Sequence, residues 1–194
     1  MATYDPTTAL LVIDVQNDFA DPAGALAVYG GGEIVPEVND QIARARAAGA
    51  TVVYTQDWHP ADTPHFAKDG GIWPVHCVQD TWGAAFHPKL VVAGAVVRKG
   101  ADGGDGYSGF SVRDPRSGQT SPTALEDMLR AAGVTRVVVV GLATDYCVVE
   151  TVCDARMLQL EAEVVTDAIR AVDLHPGDGA RALVRMRDAG ADLL

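Results

Sequence analysis

Short apolar runs rich in β-branched residues recur along the chain and alternate with amphipathic segments. The clearest of them are ALLVIDV at 9–15, TVVYTQD at 51–57, AVVRKG at 95–100 and RVVVVGLA at 136–143. Continuous runs of this kind are typical of strands that are buried on both faces of a sheet. EAEVVTDA at 161–168 predicts a fifth strand, and the terminal GADLL predicts a short edge strand.

Helices are predicted between these strands. One ends at Gly49, one follows the fourth strand to about residue 160, and one covers about 179–189. A further helix precedes Gly133. It begins either with Ser121 as the N-cap and Pro122 at the first helical position, or with a Thr123–Glu126 capping box.

Strands that alternate with helices favour a parallel sheet. We therefore predict one domain over residues 1–194, of the α/β class. It has an open parallel sheet of about six strands with helices on both faces. Two long segments, 58–90 and 101–119, interrupt the alternation. Long irregular segments in a compact domain are usually functional or disordered, and the Trp, His and Pro content of the first favours function.

Composition excludes several classes of partner. Lys and Arg number 15 against 26 Asp and Glu, a formal net charge of −11, which disfavours nucleic acids and anionic membrane surfaces. The three cysteines have no disulfide-framework spacing, and the N-terminus has no basic segment before its apolar run. No apolar segment has the length of a membrane span. We expect a cytoplasmic protein, and the sequence leaves open whether it forms a homo-oligomer.

Ionisable side chains stand at the carboxyl ends of four predicted strands. Asp14 ends the first strand, Asp57 the second and Lys99 the third, and Cys147 follows the fourth. Lys99 is also one of only three lysines in the chain. Charges are common at strand ends, but in open parallel sheets this edge is also where sites form. Four such groups together predict an active site.

Cys147 is the candidate nucleophile. It lies in the first turn of a predicted helix that Thr144 or Asp145 could cap, and a helix N-terminus with a nearby lysine lowers the pKa of a thiol. Cys153, deeper in the same helix, is expected to be structural, and Cys77 is a weaker rival.

A cysteine that attacks an amide needs a base for its own proton and an acid for the leaving amine. Asp14 can serve as both if Lys99 controls its charge and orientation. Backbone N–H groups between Ala143 and Cys147 are placed to hold an oxyanion.

The segment after the second strand contains four of the five histidines, at positions 59, 65, 76 and 87. Asp57 and His59 form a D-x-H pair at a strand end, and His65 and His76 can fold back to complete a metal site. One carboxylate with several imidazoles suits Zn, Fe or Mn. His87 and His175, which both precede a proline, are expected to be structural.

Five motifs, LLVIDVQNDF, QDWHP, WPVHC, RKGADG and GLATDYCVVET, occur in this order over the chain. Together they resemble the nicotinamidase/pyrazinamidase branch of the isochorismatase-like cysteine hydrolases. The resemblance implies hydrolysis of nicotinamide to nicotinate and ammonia through a cysteine thioester, with pyrazinamide as a further substrate. A role in NAD salvage would follow from that reaction.

The resemblance also implies roles for individual residues. The implied catalytic residues are Asp14, Lys99 and Cys147. The implied ligands of one metal ion per chain are Asp57, His59 and His76, and His65 matches a histidine that often completes the site. The metal would anchor the pyridine nitrogen between Phe19 and Trp73. A cis peptide bond between Leu142 and Ala143 would help to aim the N–H groups of Ala143 and Cys147 at the oxyanion.

Two features depart from the family pattern, and several alternatives remain. The run KGADGGDGY at 99–107 is about one residue longer than expected, and Tyr146 stands where histidine is more common. Relatives that hydrolyse ureido or carbamoyl compounds, or vinyl ethers, generally lack the metal cluster. An idle metal-binding or partner-binding protein would not need Asp14, Lys99 and Cys147 together. A nucleotide-binding Rossmann domain is disfavoured because no G-x-G-x-x-G follows the first strand.

Overall fold

The predicted strands form one sheet. The structure, a computed structural model, describes residues Met1 to Leu194. The six strands are β1 (Thr8–Ile13), β2 (Thr51–Asp57), β3 (Ala95–Lys99), β6 (Arg136–Leu142), β7 (Glu161–Arg170) and β8 (Asp192–Leu193). They pair in parallel in the order β3-β2-β1-β6-β7-β8, so the predicted fold class is confirmed.

The helices are α1 (Asn17–Ala20), α2 (Val35–Ala47), α3 (Leu125–Ala131), α4 (Val149–Met157) and α5 (Asp178–Asp188). A π-helical turn, Thr144–Val148, leads into α4, and short 3-10 turns lie at Gly31–Ile34 and Ala67–Asp69. None of these helices has the length and apolar character required to cross a bilayer.

Alternate residues of β1 enter two separate cores. Leu10 and Val12 pack with α2 on one face of the sheet. Leu11 and Ile13 pack with α3, α4 and α5 on the other face. Because both faces are covered, every residue of β1 is buried, which explains the unbroken apolar run from Ala9 to Ile13.

Two local predictions were wrong. Ser121 and Pro122 do not begin a helix, because they belong to β5 (Thr120–Pro122), which pairs antiparallel with β4 (Ser111–Arg113). Thr123 Oγ1 does accept a hydrogen bond from the N–H of Leu125, but Glu126 binds Arg130 and completes no capping box.

The expected side-chain cap of the helix after β6 is also absent. Ala143 occupies the cap position without a side-chain hydrogen bond. The Asp145 carboxylate accepts instead from the N–H groups of Val172 and Asp173, and so holds the chain that follows β7.

The connections place one crevice at the carboxyl edge of the sheet. From β1 the chain runs to β2 and β3 on one side, and then crosses to β6 on the other side of β1. Such a reversal of strand order opens a crevice where open α/β sheets bind ligands. The peptide bond between Leu142 and Ala143, at the end of β6, is cis, as the resemblance implied.

Candidate active site

Asp14 lies at the centre of the crevice. Its φ of 46° is in the left-handed region, where residues other than glycine are rare and often functional. Lys99 Nζ donates to Asp14 Oδ2 at 2.6 Å, and Thr55 Oγ1 donates to Oδ1 at 2.7 Å. The Asp14 carboxylate is fully buried and held from two neighbouring strands.

Lys99 joins the two halves of the site. Its ammonium group is 3.0 Å from Asp57 Oδ1, and it also donates to the carbonyl oxygens of Gly106 and Tyr107. Burial lowers the pKa of a lysine, but here the negative charges of Asp14 and Asp57 raise the pKa of Lys99 well above its usual value. Lys99 is therefore a permanent cation between two carboxylates.

The Cys147 thiol faces the same carboxylates. Its sulfur and carboxylate oxygens of Asp14 and Asp57 all lie within 4.8 Å of one another. Burial raises the pKa of Cys147 well above its usual value, against the opposing charge of Lys99, and the two carboxylates raise it further. With its pKa raised, the thiol is protonated at rest. This is a correction, because the position near a helix N-terminus and a lysine predicted a lowered pKa.

Asp14 is suited to take that proton. Burial, opposed by the charge of Lys99, raises the pKa of Asp14 to about 6. At neutral pH the pair is therefore a carboxylate beside a thiol, which is the starting state of general-base activation.

The other cysteines lie elsewhere. Cys77 is fully buried, burial raises its pKa, and its thiol contacts the carbonyl oxygen of Gly83. Cys153 lies within α4, is half-buried and packs against the core. Neither lines the pocket in front of Cys147.

Three histidines from the segment after β2 converge next to Asp57. Nitrogen atoms of His59, His65 and His76 lie within 4.8 Å of one another, and all three side chains are buried. Asp57 Oδ2 is 3.8 Å from His59 Nε2 and 4.0 Å from His76 Nε2, too far for hydrogen bonds. His87 and His175 are not in this cluster.

The arrangement fits a metal ion. Both ring nitrogens of His59 are buried without a hydrogen-bond partner, which is costly unless something else binds there. Burial lowers the pKa of His65, and lowers that of His76 to about 4, so both imidazoles are neutral, the form that binds metals. Three imidazoles and one carboxylate are a donor set for Zn, Fe or Mn.

A small apolar cavity of about 70 Å³ lies between the cysteine and the histidines. Phe19, Trp73 and Tyr107 form its aromatic walls, and Ala143, Cys147, His65 and His76 contribute to its lining. A larger groove of about 620 Å³ runs along β3, but it contains none of the predicted site residues. Size alone therefore does not identify the site.

Several residues that hold the site were not predicted. The amide group of Gln16 binds the N–H and the carbonyl oxygen of Asp57. Tyr107 OH accepts from Trp73 Nε1 at 2.7 Å, and Asp105 contacts His65. A polar Gln16 beside a buried strand was the only indication of these contacts in the sequence, since the others join distant loops.

The turn after β6 borders the cavity. The N–H groups of Tyr146 and Val148 both donate to the carbonyl oxygen of Ala143, which closes the turn on itself. Ala143 and Cys147, the two predicted oxyanion donors, both line the cavity.

The fold and this site together define one class of protein, a hydrolase built on an open parallel α/β sheet. Residues 8–194 match the isochorismatase domain, and the chain belongs to that family, as its motifs had indicated.

Its relatives are more specific. The chain is 40% identical to the nicotinamidase of Escherichia coli (strain K12), in an alignment that covers 97% of this chain and 94% of the relative. A zinc complex of a pyrazinamidase from Pyrococcus horikoshii is 38% identical, with a TM-score of 0.86 over 97% of this chain and 99% of that one. PnC1 from L. infantum, solved in complex with nicotinate, is 34% identical, with a TM-score of 0.88 over 100% and 95%.

Proposed function

We propose that the protein is a nicotinamidase, an amide hydrolase that converts nicotinamide to nicotinate and ammonia. The observation that carries the proposal is one small apolar cavity. The Asp14–Lys99–Cys147 group lies on one side of it, and the candidate metal ligands Asp57, His59, His65 and His76 lie on the other. The similarity to nicotinamidases and pyrazinamidases supports the same reaction.

The cavity suits a planar heteroaromatic ring. Phe19 and Trp73 contribute aromatic surface, and Trp73 is held by the Tyr107 hydroxyl. Asp57, His59, His65 and His76 would hold one divalent metal ion, which when bound supplies a Lewis-acid contact for the ring nitrogen. A ring anchored there would direct its carboxamide towards Cys147.

Asp14 then begins the chemistry by accepting the proton of the Cys147 thiol. The thiolate attacks the carboxamide carbon, and the N–H groups of Ala143 and Cys147 stabilise the resulting oxyanion. Lys99 keeps the Asp14 carboxylate oriented through the 2.6 Å hydrogen bond. Asp14 returns the proton to the leaving ammonia, and a thioester remains on Cys147.

Hydrolysis of the thioester completes the cycle. Asp14 accepts a proton from the attacking water, the bond from carbon to Sγ breaks, and the proton returns to the thiol as nicotinate leaves. Pyrazinamide has the same carboxamide on a similar ring, so we propose it as a second substrate. A cytoplasmic location and a role in NAD salvage stay predictions.

The test is ammonia release from nicotinamide by the wild type, Cys147→Ala and Cys153→Ala, each before and after chelation. We expect release that requires both Cys147 and a metal, and a Cys153→Ala variant that behaves like the wild type. Elemental analysis of the active protein would identify the metal. Undiminished release from Cys147→Ala would overturn the mechanism, and release from a ureido substrate instead of nicotinamide would overturn the substrate.

A further inference from the structure

Asp105 contacts His65, one of the candidate metal ligands, on the ring nitrogen that faces away from the other ligands. It belongs to the 101–119 segment, which interrupts the strand–helix alternation, and Asp105 itself has no role in the mechanism above. Asp105 Oδ1 lies 2.7 Å from His65 Nδ1, and the Asp105 side chain is 14% exposed. This is hydrogen-bond distance between a carboxylate and the outer ring nitrogen of a candidate ligand.

The backbone of Asp105 is itself fixed. Asp105 N–H donates to the carbonyl oxygen of Arg113 at 2.7 Å, and Arg113 N–H donates back at 2.9 Å. These two bonds tie Asp105 to β4, so the position of its carboxylate is set by the β4–β5 hairpin.

The same segment also holds the backbone of His65. Thr63 Oγ1 donates to the carbonyl oxygen of Gly103 at 2.7 Å and accepts from the N–H of His65 at 3.2 Å. Both the ring and the main chain of His65 are thus attached to residues 103–105.

The carboxylate determines which nitrogen of His65 can bind a metal. A carboxylate acceptor at Nδ1 requires the hydrogen there, so Nε2 carries the lone pair. The other two imidazoles differ in this respect. His76 Nδ1 contacts the neutral carbonyl oxygen of Pro74 at 2.8 Å, and His59 Nδ1 has no partner. Among the three, only His65 has a charged outer partner.

We propose that Asp105 is a positioning residue for the metal. It fixes the tautomer and ring orientation of His65 and increases the basicity of its Nε2, so that the β4–β5 hairpin contributes to metal affinity. The inference rests on the proposed function only in requiring a metal ion at Asp57, His59, His65 and His76.

Its test is a measurement of Zn²⁺ affinity that does not depend on turnover. The apo forms of wild type, Asp105→Asn, Asp105→Ala and Asp102→Asn are titrated with Zn²⁺ against a chromogenic chelator, and folding is checked by thermal unfolding. Asp102→Asn is the matched control, because Asp102 is an exposed acid in the same segment without a hydrogen bond. Asp105→Asn keeps the shape of the side chain and so guards against misfolding of Asp105→Ala.

We expect the Zn²⁺ dissociation constant to rise by about 10- to 100-fold in Asp105→Asn, and to stay unchanged in Asp102→Asn. Equal affinities in Asp105→Asn and wild type would overturn this inference and leave the proposed function intact. A wild type that hydrolyses nicotinamide without binding Zn²⁺, Fe²⁺ or Mn²⁺ would overturn the inference together with the metal half of the proposed function.

Discussion

The charge state of the site depends on a few buried side chains. Asp14, Asp57 and Lys99 are all buried, with one cation between two carboxylates. Burial acts to raise the pKa of both carboxylates, whereas the positive charge of Lys99 acts to lower it. For Asp57 the net result is a pKa below the usual value. Only Asp14 has a pKa raised towards neutrality, to about 6. Of the two, Asp14 is thus the carboxylate suited to exchange protons during turnover.

A pH profile tests this role of Asp14. The base must be ionised, and its pKa is about 6, so kcat/KM for nicotinamide should fall as the pH is lowered through 6. Below that value the loss should approach tenfold per pH unit, since only the ionised fraction is active. Metal content must be measured at each pH, because protonated histidines release metals. A rate that stays constant down to pH 4.5 with metal retained would exclude Asp14 as the base.

The sequence could identify these reactive residues but not their protonation. Asp14, Asp57, Lys99 and Cys147 stand at strand ends, and the crevice rule predicts their meeting. The pKa of Cys147 depends on how deeply the thiol is buried and on two carboxylates within 4.8 Å, which only the folded chain reveals. Asp105 and Tyr107 were missed for the same reason, because their partners lie in another loop.

Among the elements, the segment between β3 and β4 connects the separate parts of the site. Three consecutive residues each hold a different group: Asp105 contacts His65, the Gly106 carbonyl accepts from Lys99, and the Tyr107 hydroxyl accepts from Trp73. Movement of residues 105–107 would therefore disturb the candidate metal ligand His65, the Lys99 ammonium group and the Trp73 side chain at the same time.

Gly106 allows the close approach of this segment to β3. A Cβ at Gly106 would lie 2.7 Å from Lys99 Cβ and 3.2 Å from the Gly100 nitrogen. Gly106→Ala should displace the carbonyl that binds Lys99 and lower kcat about 100-fold, a loss that a 1 Å displacement in a site can cause. Steady-state kinetics with Gly118→Ala as control would test it. At Gly118, with a φ of 73°, alanine strains an exposed turn outside the site, but its Cβ meets nothing closer than 3.6 Å. Equal rates in both variants would refute the tight packing.

Elements with a strong local pattern were predictable, and the others were not. β2 was predicted to its exact bounds by a run rich in β-branched residues, and β6 within one residue. The four-residue α1 and the three-residue β4 and β5 are too short to carry a periodic pattern, and tertiary contacts stabilise them. Strand order was also beyond the sequence, because apolar runs do not specify their neighbours.

On the scale of the whole molecule, the backbones of β1 and β6 pack so closely that no side chain fits at Gly141. Gly141 has a φ of 115°, and a Cβ there would lie 2.1 Å from the carbonyl oxygen of Ile13. The added methyl group would strain the backbone and separate the two strands that carry Asp14 and Cys147.

Gly141→Ala should therefore lower the free energy of unfolding by about 4 kcal/mol, because the backbone strain and the overpacking both destabilise the fold. For a chain of this size that lowers Tm by about 10 °C. Gly133→Ala is the control: its φ is 69°, but nothing lies within 4 Å of the added Cβ, so we expect a loss of only about 1 kcal/mol. Thermal unfolding of both variants measures the difference, and similar Tm values would contradict the contact with Ile13.

The order of the strands also has a consequence for synthesis. β1 is the first strand to be made and lies at the middle of the sheet, where Thr8 pairs with Arg136 of β6. Translation produces Asp14, Asp57 and Lys99 well before β6 and the nucleophile. Until then the edge of β1 that pairs with β6 is exposed, and an exposed strand edge is prone to aggregation. A nascent chain at that stage contains Asp14, Asp57 and Lys99 but not yet the Cys147 thiol that would attack an amide.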